Sequence, residues 1–96
     1  MTVTTPRVIY RGTEEYLTFQ ITAGVELDAQ PVEFSFDRTT WHAGAWLGVA
    51  GTTRNARFLA DDTTLPATAG YFSVYYRVTD SPEIPIRRCG YVVVVD

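Results

Sequence analysis

The sequence predicts an all-β protein: two antiparallel sheets packed as a sandwich of about seven strands, with no disulfide. Three observations lead there. Apolar side chains recur at every second position in run after run, as in Phe72, Val74, Tyr76 and Val78. Clusters of Gly, Pro, Asp and Thr break these runs about every ten residues. No stretch carries the wider apolar spacing of an amphipathic helix.

Met1 to Thr5 is polar, and Pro6 stands just outside a first strand, Arg7 to Arg11, because proline cannot donate to a ladder. Gly12 and Thr13 end that run. Glu14 to Ala23 alternates, with Leu17, Phe19 and Ile21 inward and Tyr16, Thr18, Gln20 and Thr22 outward. Gly24 to Pro31 reads as a turn into which Leu27 can tuck.

Val32, Phe34 and Phe36 form the next inward row, opposed by Glu33, Ser35 and Asp37 on the wet face. Arg38 to Thr40 is a tight polar hairpin, so Trp41 to Leu47 can return beside the preceding strand. Gly48 to Thr53 is turn-like, and Arg54 to Ala60 is a short strand with Ala56 and Phe58 on one face.

Asp61 to Pro66 leads into the most regular strand, within Leu65 to Thr79. It has Tyr71, Ser73, Tyr75, Arg77 and Thr79 outward and reads as the central strand of a sheet. Asp80 to Pro85 is a polar link whose two prolines prevent regular pairing. In the last strand, Ile86 to Val95, Tyr91, Val93 and Val95 share one face and Val92 and Val94 the other. Such a strand is covered on both sides or meets a partner.

The 96 residues, 10.7 kDa, fit one domain, 1–96, with a core of its own. Cys89 is the only cysteine, so packing alone holds the fold, and beside a valine run it reads as a small hydrophobe. Without cysteines paired around a tryptophan, an immunoglobulin-like or fibronectin-like domain lacking the bridge fits better than an antibody-type one. A small barrel shares the same strand count.

All eight basic residues are arginine, and eleven acids leave a formal charge of −3. That balance points away from nucleic acid. No apolar run is long enough to span a membrane, and no signal peptide opens the chain, so synthesis in the cytoplasm is expected.

Catalytic chemistry has little to build on. Consecutive Glu14 and Glu15 point to opposite faces of a strand, and Asp61, Asp62 and Thr64 lack the spaced oxygens of a calcium loop. The single histidine, His42, has no nucleophile elbow to serve, and Gly44, Gly48 and Gly51 precede no phosphate-binding helix. The expectation is a chain that is not an enzyme and holds no cofactor or metal.

Contact residues are better represented. Trp41 and Trp46 can anchor an interface or stack on sugar rings, and Trp41 can instead cap one end of the sandwich; the alternative reading is a monomeric carbohydrate- or protein-binding β-sandwich module. Arg77, Arg87 and Arg88 make a candidate basic patch, partly neutralised by Asp80 and Glu83, and Tyr71, Tyr75 and Tyr91 are outward tyrosines suited to burial.

Four ordered features, RGTEEYLTFQI, Leu27 with Asp28, TTLPATAGYF and the glycine before the closing valine strand, carry a resemblance across Arg11 to Val95. The chain resembles the small immunoglobulin-like domains of tailed-phage virion proteins. These include the N-terminal domain type of siphophage baseplate proteins and short proteins among actinobacteriophage structural genes. Arg11 and Gly12 match the family's Arg-Gly-Asp-like turn, whereas Thr13 replaces its acid, and Ala67 to Ala69 lengthen the turn within Asp62 to Asp80. The resemblance implies a passive role in the virion. It also implies multiple copies per particle, docked on larger phage proteins of the capsid, head-tail connector or tail.

Overall fold

The computed structural model describes residues 7–79 and 85–96. Within them the chain is all-β, without a helix or a disulfide. Eight strands, β1 (Arg7–Tyr10), β2 (Glu15–Leu27), β3 (Val32–Ser35), β4 (His42–Ala43), β5 (Ala45–Trp46), β6 (Gly51–Ala60), β7 (Gly70–Val78) and β8 (Ile86–Val95), form two sheets. The larger has the order β1-β8-β7-β3-β4 and the smaller β2-β6-β5.

Alternation supplies the core. Leu17, Ile21 and Leu27 from β2 and Ala56, Phe58 and Ala60 from β6 are buried against Ile9, Val32, Phe34, Val74, Val78, Val92 and Val94 of the larger sheet. Both sheets thus close on one cluster, since each has one apolar face to remove from water. The regular strand near the middle of the larger sheet is β7, antiparallel to β3 and β8 on either side. Leu27 is buried, as the sequence suggests.

Several boundaries and faces differ from expectation. The sheets are not antiparallel throughout, because β1 runs parallel to β8, Arg7 opposite Val92 and Tyr10 opposite Val95. The region Gly24 to Pro31 is not all turn: β2 continues to Leu27, with a register irregularity between Thr22 and Leu27, and only residues 28–31 leave the strand. Likewise β6 begins at Gly51, inside the stretch read as a turn.

Ser35 is fully buried rather than wet, because the following loop folds back on it. Its hydroxyl donates to Asp37 Oδ1 at 2.9 Å and accepts from the backbone N–H of Arg38 at 2.8 Å. Trp41 to Leu47 does not simply return beside β3. It divides, β4 pairing with β3 and β5 with β6, so the chain changes sheets at Gly44. Residues 1–6 and the link 80–84 lie outside the described residues.

Candidate functional site

The two outer faces differ in chemistry. On the smaller sheet, Thr18, Gln20 and Thr22 of β2 stand opposite Arg57, Asn55 and Thr53 of β6, a mainly polar surface that ends in Tyr16 opposite Leu59, with Arg57 over the Tyr16 ring at 4.0 Å. On the larger sheet, burial of Val74, Val92, Val94 and Ile9 turns their sequence neighbours outward. Directly opposed residues share a face, so the outer side carries Tyr71 opposite Val93, Ser73 opposite Tyr91, Tyr75 opposite Arg88 and Arg77 opposite both Ile86 and Glu33.

At its β1 margin, Val8 and Tyr10 lie beside Val93 and Val95. Tyr71 is 78% exposed, Tyr10 60% and Val8 48%, so this is an apolar and aromatic face open to solvent.

A bulge decides which arginines belong to it. Pairing of β7 with β8 passes from Val74 opposite Gly90 to Tyr75 opposite Arg88, leaving Cys89 as the extra residue. Unbroken alternation from Tyr91 would turn Arg87 outward. The bulge instead puts Arg88 in the outward row and Arg87 opposite Tyr76 on the other side. Cys89 packs against the core, its Sγ 3.4 Å from the Val74 carbonyl oxygen, and burial pushes its thiol pKa up to about 12.

Guanidiniums and rings are interleaved on the outer face. Arg77 lies over Trp41 at 4.2 Å, Arg38 over Tyr75 at 5.2 Å and Arg88 over Tyr91 at 5.4 Å. Arg77 also donates through Nε to Glu33 at 3.0 Å.

Trp46 is placed elsewhere. It is half-buried against the core, its Nε1 donates to the Gln30 carbonyl at 2.8 Å, and Arg54 covers it at 5.6 Å. Of the residues singled out from the sequence, Trp41, Tyr71, Tyr75, Arg77, Arg88 and Tyr91 therefore come together on one face, whereas Trp46 and Arg87 do not join it. Val8, Tyr10 and Arg38 were missed. Nothing local in β1 signals its place beside β8, and Arg38 reaches the face only through the fold of its loop.

A cleft of about 230 Å³ is lined by Phe36, Phe72, Leu65 and Pro66 with Asp37, Thr40, His42, Thr63 and Thr64 at its polar side. Asp37 is engaged in its own turn: Oδ1 accepts from the backbone N–H groups of Thr40 and Thr39 and from the Ser35 hydroxyl. Those bonds hold its pKa far below the ordinary carboxylate range. His42 is parallel to Phe58, centroids 6.5 Å apart, and no hydrogen bond links it to Asp37 or to a threonine among the described residues. Among the described residues, no three His, Cys, Asp or Glu side chains converge as a metal site.

Compared with protein-family models, with curated proteins and with solved structures, the chain matches none.

Proposed function

We propose that the chain is an immunoglobulin-like, non-enzymatic structural component of a tailed-phage virion, docking through the outer face of its larger sheet on capsid, head-tail connector or tail proteins. The strand order supports the fold reading. The neighbours β8, β7 and β3 correspond to strands G, F and C of an immunoglobulin domain, and β2, β6 and β5 to B, E and D. One observation carries the docking reading: Tyr10, Tyr71, Val8, Val93 and Val95 form a continuous outward patch on one sheet, while the outer face of the other is mainly polar, with a single exposed apolar pair, Tyr16 opposite Leu59.

A sugar platform is less well supported. It calls for coplanar exposed rings, but Trp41 lies beneath Arg77 on the larger sheet and Trp46 is tied into the smaller one. Repeated copies on a symmetric particle make weak individual contacts sufficient for retention.

The test is proteomic analysis of purified particles whose genome encodes the chain, followed by hydroxyl-radical footprinting of the particle and of the isolated protein. The protein should be present in the particle, with Tyr10 and Tyr71 protected there and labelled when isolated. Absence from the particle, or equal labelling in both states, overturns the proposal.

A further inference from the structure

Resting on that docking reading, we propose that the covering partner is an acidic protein surface whose carboxylates seat against Arg38, Arg77 and Arg88. Each of these guanidiniums lies over an aromatic ring, at 5.2 Å, 4.2 Å and 5.4 Å respectively. Attraction to the ring face holds each guanidinium in place without consuming its N–H donors, which can take a carboxylate in two bonds.

The donors are also little used. Arg77 gives one to Glu33, and the side chains of Arg38 and Arg88 give none among the described residues. Arg54, by contrast, spends its donors on the carbonyls of Leu47, Leu27, Asp28 and Gly48.

Arg38 supplies an independent observation. It has a φ of 66°, the only positive value at a non-glycine position among the described residues. Glycine or asparagine would relieve that backbone, so a long cation held there against Tyr75 points to use of the cation itself. Among the described residues of this face, three arginines stand against one acid, Glu33, on a chain whose total is −3. An acidic protein complements both the cations and the adjoining valines and tyrosines. The phosphate backbone of a nucleic acid matches the cations but leaves those valines and tyrosines without apolar surface to bury against.

The test is an NMR titration of the isotope-labelled full chain with poly-L-glutamate, with a single-stranded DNA oligonucleotide as the second arm. Poly-L-glutamate should shift the Nε–H resonances of Arg38, Arg77 and Arg88 and the amides of β7 and β8, with affinity at least fivefold weaker at 300 mM than at 50 mM salt. Arg38→Gly should lose at least threefold in affinity with a melting temperature no lower than the parent. Arg88→Gln should lose as much, and Arg7→Gln should lose none.

Shifts spread over both sheets, no shifts, or tighter binding of the oligonucleotide on this face each overturn the inference. If the footprint is protected in particles while poly-L-glutamate fails, the face docks on a partner that is not acidic and this inference alone falls.

Discussion

Phe34 and Phe58 stack across the interface between the two sheets, ring centroids 4.8 Å apart and planes inclined by 15°. Phe34 belongs to β3 and Phe58 to β6, both are buried, and Phe19 and Phe36 lean on the pair at 5.8 Å each. Phe34→Ala should cost about 3–5 kcal/mol, from lost transfer energy and the cavity left behind. Urea unfolding followed by tryptophan fluorescence reads this loss, and a value under about 1 kcal/mol would contradict such a core.

Gly44 is where the chain steps from one sheet to the other, its N–H donating to the Val32 carbonyl at 2.8 Å. A Cβ here would meet Phe34 Cε2 at 2.6 Å and the Arg57 carbonyl oxygen at 3.1 Å. Gly44→Ala is expected to destabilise by about 1–3 kcal/mol through overpacking. Gly24→Ala, where no atom lies within 4 Å, serves as the control for a glycine replacement in open space.

Arg54 gathers the carbonyls of the Asp28 and Gly48 loops, donating to Leu47 at 3.1 Å, Leu27 at 3.1 Å, Asp28 at 2.8 Å and Gly48 at 2.9 Å. A forked guanidinium can do this and a point-charge ammonium cannot. Arg54→Ala should lower stability by about 2 kcal/mol, and Arg54→Lys should recover less than half of it. Recovery by lysine in thermal melts would show that charge alone matters.

Acid should unfold the protein through Asp37 and Asp61. Both carboxyls are held below their ordinary range, Asp37 by the N–H groups of Thr40 and Thr39 and the Ser35 hydroxyl, Asp61 by the Thr63 hydroxyl and N–H. The unfolded chain takes up these protons first, so the stabilisation is complete above about pH 4 and is lost as pH falls toward the folded values. Urea midpoints should be level from neutral pH to about pH 5 and decline below pH 4. Asp37→Asn should flatten that decline.

The Cys89 thiol, its pKa raised by burial to about 12, should be inert in the folded protein. At pH 8 the thiolate fraction is on the order of 10⁻⁴, so a disulfide reagent should react slowly under native conditions and rapidly in denaturant. Rapid native reaction would contradict the placement of this side chain against Val74.

Much of the fold is legible in the chain because alternation is local. The outward set Tyr71, Tyr75 and Arg77 and the inward set Leu17, Ile21, Phe34, Val74 and Val78 follow from spacing within single strands. The burial of Ser35 is not legible in its strand because it depends on the loop of residues 36–40 turning back on its hydroxyl. The extent of β2 is not legible either, because Gly24 signals a turn locally and only pairing with a distant strand carries β2 past it.

The sequence by itself determined that the chain is all-β and which residues alternate, since a strand's two faces are set by its own backbone at a period of two. Only the tertiary structure decided that β1 joins β8 in parallel, that the chain changes sheets at Gly44 and that the bulge at Cys89 turns Arg88 outward. Those outcomes depend on partners far apart in the chain. A shift of one residue in register reverses every face beyond it, and no local pattern carries that information.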